Sequence, residues 1–430
     1  MNKHETMWET LGLDVPLHNR LLESIGSDYA TKVLNRKNRP EGMAHFDGVV
    51  HAAHGDRVQE LIDGKEKGRK IVGTFCIYVP EEIALALDIV PMPLCGGTDF
   101  SIPYAEKTFP RDICPLVKST LGLAFSKTCP YAPIKSMAVG ETTCDAKKKT
   151  WEILAQRIPF HVMEVPNKKE SRNRSIWLEE VRSFLSRMET IAGKTVTAER
   201  LAHEIQLMNR KRKALQEFSK LRAFDLPPIS GLDALVVYQS MLNDEPLRFT
   251  ERLETLNREL EARIAKGFSP FPKGVRRLMI SGCPSVMGNW KIHSIIETSG
   301  AAVVADETCT GSRYFENLVD ESANDVDGMV KAIADRYMRI NCSCFTPNQE
   351  RIEAVQAMVD RYRIDGVVQY VLQFCHTYNI EAIRVEKALK EKGIPQIKIE
   401  TDYSKEDSGQ ISTRIEAFLE KMENPVASPA

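Results

Sequence analysis

The sequence predicts an α/β protein with two doubly wound parallel-sheet domains related by an internal repeat, a helical N-terminal extension and a helical connector. Three observations carry this expectation. Short apolar runs alternate with amphipathic helical stretches in two separate regions, the pattern of parallel strands joined by crossover helices. Between those regions the apolar period lengthens to three or four residues and stays there for most of a hundred residues. Cysteines recur in the same order in both regions, each closing an apolar run. IVGTF leads to Cys76 and RLMISG to Cys283, DIVPMPL to Cys95 and AAVVADET to Cys309, SMAVGETT to Cys144 and GVVQYVLQF to Cys375. Cys114 stands thirty residues before Cys144, and Cys344 thirty-one before Cys375. The expected segments are 1–65, 66–169, 170–270 and 271–430.

A chain of 430 residues exceeds a single core. Its net charge of −1 gives no general attraction to nucleic acid or to an anionic membrane surface. No stretch approaches the roughly eighteen apolar residues of a membrane span, and MNKHETMWETLGL lacks the apolar core of a signal peptide. The chain is expected in the cytoplasm, where thiols stay reduced. Its ten cysteines therefore need a reason other than disulfides.

In chain order, the first 65 residues read as amphipathic helices with irregular joints, an extension that packs on the first domain or on another copy. His45, His51 and His54 lack helix-face spacing and read as a solvated loop. KIVGTF is a strand, and VPEEIALAL a helix with Pro80 in its first turn. DIVPMPL, SMAVGET and PFHVMEV are further strands, with helices at CPLVKSTLGLAF, opened by Pro115, and at DAKKKTWEILA. Three connector helices follow, the first broken by Gly193 and the second capped by Thr197. The basic run at Lys211 has acidic residues on both sides and no interleaved aromatics, so it reads as a solvated face. After Pro270 and Pro272 the second domain repeats the scheme: VRRLMISG, AAVVADET, GVVQYVLQF and PQIKIETD as strands, PSVMGNWKIHSIIETSG as a helix ended by Gly300. Thr346, Pro347 and Gln349 read as an N-cap, a first-turn proline and a capping box.

Side chains at the carboxyl ends of parallel strands converge on one crevice although they are remote in sequence. No C-x2-C pair occurs, so structural zinc and a redox dithiol are disfavoured, and the C-x-C at Cys342 and Cys344 does not restore them. Thiolates from several loops suit an iron–sulfur cluster between the domains. One cysteine alone is commonly a small buried hydrophobe; a set repeated at strand ends is not so easily dismissed.

GTFCIYVPEEIALALDIVPMPLCGG, CPLVKSTLG, VGETTCDAKKKTWEIL, SGCPSVMGNWKIHSIIETSG, ADETCTGSRYF, CSCFTPN and QFCHTYNIEA resemble the 2-hydroxyacyl-CoA dehydratase superfamily, in particular its double-cubane-cluster branch. The resemblance runs from about residue 70 to the carboxyl end and is weaker in the connector. It implies a [4Fe–4S] cubane on Cys114, Cys144 and Cys375, or two cubanes joined by a sulfide as an [8Fe–9S] cluster on six thiolates. Cys283 in SGCP favours the double cluster. The internal repeat suggests Cys76 with Cys283, Cys114 with Cys344 and Cys144 with Cys375, with Cys309 the first substitute; Cys129 and Cys342 are left as packing residues.

The resemblance further implies a low-potential reductase of a small substrate. Its electrons would come from a separate dimeric iron–sulfur ATPase of the actin-like fold, and the absence of a GxxxxGK[ST] loop agrees with that division. A homodimer is expected, with neither nucleic acid nor membrane as partner. Candidate groups around the sulfurs are His376 and Glu141 as proton donors, then Glu307 and Lys118. The alternative is a 2-hydroxyacyl-CoA dehydratase subunit with a single cubane.

Overall fold

The computed structural model describes residues 3–423; the first two and last seven residues of the expected outer segments lie outside that range. Four helices come first: α1 (Glu5–Thr10), α2 (Val15–Tyr29, continued by a π-helical turn over Ala30–Leu34), α3 (Met43–Ala52) and α4 (Asp56–Glu66). Asp14 caps α2 by accepting from the Leu17 amide, with Pro16 in the first turn.

The first sheet region comprises β1 (Lys70–Thr74), α5 (Glu81–Ala86), β2 (Ile89–Pro93), α6 (Ile102–Ala105), α7 (Pro115–Phe125), α8 (Tyr131–Ile134), β3 (Met137–Glu141), α9 (Asp145–Leu154) and β4 (Phe160–Met163). Four helices follow, α10 (Ser171–Ala192), α11 (Ala198–Leu221), α12 (Gly231–Ser240) and α13 (Pro246–Ala265). Gly193 ends α10 in the left-handed region at φ 68°, and the Thr197 side chain accepts from the Arg200 amide to open α11. The second sheet region holds β5 (Arg276–Gly282), α14 (Lys291–Thr298), β6 (Ala301–Glu307), α15 (Ser312–Phe315), α16 (Val326–Met338), α17 (Gln349–Tyr362), β7 (Gly366–Leu372), α18 (His376–Glu391), β8 (Gln396–Thr401) and α19 (Ser408–Glu423).

Every strand pair is parallel, and the strand orders are β2-β1-β3-β4 and β6-β5-β7-β8. The same order twice is the internal repeat in three dimensions. In each sheet the strand order reverses between the two central strands, β1 and β3 or β5 and β7, so a crevice opens at their carboxyl ends. The two sheets do not stand apart. Phe75 and Ala138 from the first share one apolar core with Leu278, Ile280 and Val368 from the second, and Cys114 and Cys283 belong to it. Another core joins α2 and β1 to α10, α11, α12, α13 and α16. Among the described residues no helix is long and apolar enough to cross a membrane.

Several local expectations are corrected. The run at Lys211 is not a solvated face: Lys211 and Arg212 are buried, and Arg212 pairs with Glu82 at 2.6 Å. Lys211 Nζ stands 5.5 Å from the Phe249 ring centre and 5.1 Å from that of Tyr314. The cause is that α11 is covered on several sides, by α5, α13, α15 and α16, leaving Arg210 and Lys213 outside. His45 and His51 lie on α3 rather than in a loop, and His45 Nε2 meets Asp244 Oδ2 at 2.8 Å. Just beyond α3, His54 stacks on His18 with ring centres 5.1 Å apart.

Pro80 is the N-cap of α5, one position before the first turn. The predicted helix at Pro284 begins only at Lys291, because Gln239 Nε2 holds the Ser285 and Val286 carbonyls at 2.9 and 3.0 Å and keeps that segment a loop. Likewise α17 opens at Gln349 with Asn348 as N-cap. The Thr346 amide is instead tied to the Asn167 carbonyl at 2.7 Å, and Thr346–Pro347 is a cis peptide. Helix α12 has no counterpart in the sequence reading. All ten of its residues are buried, so no polar face marks a helical period.

Candidate functional site

Six cysteines follow strands by one to three residues: Cys76 after β1, Cys95 after β2, Cys144 after β3, Cys283 after β5, Cys309 after β6 and Cys375 after β7. Backbone geometry brings two of them inward. Gly282 has φ +136°, and a Cβ there would collide with the Tyr370 carbonyl oxygen; only glycine lets the chain turn Cys283 beneath β7. The Cys283 sulfur accepts from the Leu372 amide at 3.3 Å. Phe374 holds φ 60°, a left-handed conformation rare for a bulky residue, immediately before Cys375. Cys114, Cys144 and Cys375 are the N-cap residues of α7, α9 and α18, where the amide ends of a helix favour a thiolate.

By their mutual charge interactions the thiols fall into two groups drawn from both sheets, linked through Cys342, whose charge is felt at Cys375. Cys114, Cys144, Cys283 and Cys375 form one. A thiol hydrogen bond from Cys283 brings Cys375 down to about 7, while burial raises Cys283 well above the usual thiol range. Burial, with the charge of Cys375 next, pushes Cys114 up to about 12. The second set is Cys76, Cys309, Cys342 and Cys344. The Cys344 thiol donates to Cys342, bringing it down to about 6 against the effect of burial, and Cys344 rises correspondingly. Each set thus contains one thiol poised to ionise, stabilised by a neighbouring S–H. Cys342, left aside in the sequence reading, lies against Cys344. Burial raises Cys95 to about 11, and its sulfur donates to the Phe75 carbonyl at 3.2 Å. Cys129 belongs to a separate apolar cluster with Tyr131 and Val58.

Two cations reach these sulfurs. Lys147, three residues past Cys144 on α9, is bonded to Glu141 and lies 3.4 Å from the Phe75 carbonyl. Arg313 Nη1 stands 3.7 Å from the Cys309 sulfur. Arg313 also binds Glu307 through Nε at 2.6 Å, and Arg351 binds the same carboxylate at 2.9 Å. Burial opposes the charge on Glu307, but Arg313 and Arg351 hold it at about 2, so Glu307 is an ion-pair anchor and a poor proton donor. Lys118 is bound to Glu106 at 2.9 Å and to the Arg111 carbonyl at 2.8 Å. His376 is exposed, at the first position of α18, and lines the cavity described next.

Among the described residues no three or more His, Cys, Asp or Glu close on one point as a single-ion site requires. The thiols instead surround a cavity of about 530 Å³ that nine of the ten cysteines line, Cys344 excepted. Phe75, Ile77, Val79 and Leu372 supply apolar wall, and Glu81, Tyr314 and Lys147 the polar part. The cavity runs outward to His51 and His54. Zinc wants four donors about 2.3 Å from a shared centre. Soft donors spread around a space of this size fit a multi-iron sulfide cage. Gly97 and Gly288 bring the loops of the two sheets into contact beside it: a Cβ on Gly97 would meet the Met287 carbonyl at 2.6 Å.

Lys147 and Arg313 were passed over in the sequence. Lys147 sits in a lysine run whose other members are outside, and its signal is the helical spacing of three residues from Cys144. Arg313 stands four residues after Cys309, separated from it by a turn that the sequence does not disclose.

Comparison with known proteins gives a consistent set of relatives. The family model for 2-hydroxyglutaryl-CoA dehydratase, D-component, matches residues 76–422. A putative dehydratase subunit, YjiM, of Escherichia coli (strain K12) is 39% identical over 370 residues, covering 84% of this chain and 94% of that protein. The (R)-phenyllactyl-CoA dehydratase beta subunit of Clostridium sporogenes is 25% identical over 363 residues, 83% of this chain and 93% of its own. A benzoyl-CoA reductase subunit of Thauera aromatica is 21% identical over 351 residues, with coverages of 80% and 88%.

Proposed function

Because the chain belongs to the 2-hydroxyglutaryl-CoA dehydratase D-component family, we propose that it is a low-potential iron–sulfur reductase. It holds a double-cubane [8Fe–9S] cluster between its sheets and reduces a small substrate. The observation that carries this reading is the delivery of thiols from both sheets of one chain to one cavity, in two sets. A single cubane would leave one set without a role.

The six ligands are drawn from Cys76, Cys114, Cys144, Cys283, Cys309, Cys344 and Cys375, with Cys342 the alternative to its neighbour Cys344. The segments 66–169 and 271–430 are the two cluster-binding domains. When bound, the cluster would supply single electrons at low potential to a molecule in the same cavity. Cys114, Cys144 and Cys375 sit at helix N-termini, whose amides partly offset the cost that burial puts on ionising them. The Phe75, Ile77, Val79 and Leu372 walls exclude water, so charge interactions inside are strong. His376, at the exposed edge, carries a proton from solvent to the substrate. Relatives named as subunits support a separate partner protein, to which this reading assigns electron delivery as an iron–sulfur ATPase of the actin-like fold.

The test adds ATP and that activating ATPase to the anaerobically purified chain and follows the visible absorbance of the cluster. ATP-dependent bleaching that leaves a 2-hydroxyacyl-CoA intact supports the reading. Loss of water from that thioester once a second subunit is added assigns the chain to the dehydratases, and no bleaching overturns both readings.

A further inference from the structure

The first turn of α9 places one buried ammonium where loops carrying three different thiols meet. Lys147 lies on the same helix as Cys144, which caps it. Its Nζ is 3.4 Å from the Phe75 carbonyl, next to Cys76, and the Cys95 sulfur donates to that same carbonyl at 3.2 Å. Lys147 lines the cavity with all three cysteines. Its side chain is 12% exposed and that of its partner Glu141 is fully buried. Glu141 spends Oε1 on Lys147 and on Thr143, while Oε2 has no partner among the described residues. An isolated buried ammonium would shed its proton. Here burial works against the charge, yet Glu141 holds Lys147 well above its usual range.

Arg313, the other cation at the sulfurs, stands 3.7 Å from Cys309 and shares the Glu307 carboxylate with Arg351. Lys147 lines the cavity that thiols of both sheets share, countered by a carboxylate with one oxygen unpartnered among the described residues.

We propose that Lys147 sets the reduction potential of the group bound among these thiols, with Glu141 determining how much of its charge the sulfurs feel. Lys147 is a positioning charge, touching neither substrate nor ligand bonds. A nearby cation favours the electron-rich state of a sulfide cage, and it favours a thiolate over a thiol for the same reason. The proposal rests on the cluster reading for the potential and is independent of it for the thiols.

The experiment compares wild type, Glu141→Gln, Glu141→Gln/Lys147→Met and Glu141→Gln/Lys147→Arg. The Gln background removes the opposing carboxylate, so that the Lys147 substitutions are compared without it. Midpoint potentials of the holo-proteins are read by redox titration of the cluster spectrum. The alkylation rate of Cys95, which is not among the proposed ligands and shares the Phe75 carbonyl with Lys147, is read in the metal-free proteins with iodoacetamide. Glu141→Gln should raise the potential and speed alkylation; adding Lys147→Met should reverse both, and Lys147→Arg should restore both. Equal potentials and equal alkylation rates in Glu141→Gln and its Met double variant overturn the proposal. A wild-type chain that binds no cluster refutes the functional reading alone, and the alkylation series then decides the role of Lys147. If a variant fails to assemble the cluster, its alkylation rate decides in the same way.

Discussion

His18 donates from Nδ1 to the Thr128 carbonyl at 2.8 Å and leaves Nε2 buried without a partner among the described residues, its ring stacked against His54. Burial brings His18 from 6.5 down to about 4, partly offset by the Thr128 bond, and burial with the His18 charge brings His54 to about 3. The unfolded imidazole therefore binds its proton at a higher pH than the folded one. Stability is complete above pH 6.5 and falls as the pH drops toward 4, by about 3 kcal/mol for His18 alone. Melting temperature should fall between pH 7 and pH 5, and His18→Phe should flatten that slope; an unchanged slope contradicts the assignment. At this scale six of the cysteines were legible because each closes an apolar run, a one-dimensional signal that survives folding, whereas Cys342 carries no such mark. The role of Glu307 was not, because Arg313 and Arg351 reach it from different elements.

Helix α11 shows how the same kind of residue differs with its partners. Arg212 is paired with Glu82, which also accepts from Tyr337 at 2.9 Å. Glu82→Gln leaves a buried guanidinium short of charge and should destabilise by about 3–5 kcal/mol. Lys211 has rings above it and no carboxylate in hydrogen-bond reach, and burial lowers its pKa. Lys211→Met should be neutral or stabilising by about 1 kcal/mol. Urea midpoints for the two variants check this, and equal losses would refute it. Strands and long helices were readable in the sequence because apolar runs, Gly193 and Thr197 act locally. The start of α14 and the whole of α12 were not, since Gln239 fixes one from afar and complete burial erases the period of the other.

Across the whole molecule, the repeat in sequence becomes the same strand order in two sheets, and their carboxyl ends share one cavity. The convergence of Cys114, Cys144, Cys283 and Cys375 was foreseeable from topology, because strand ends in such sheets face one crevice. Which thiols sit together was not. Cys342 joins Cys344, and the sets cross between the halves, through contacts between loops that Gly97 and Gly288 allow. The most direct measurement is iron and acid-labile sulfide per chain after anaerobic purification. Two occupied thiol sets predict about eight irons with about nine sulfides, whereas about four irons, or none, would contradict a doubled cluster spanning both sheets.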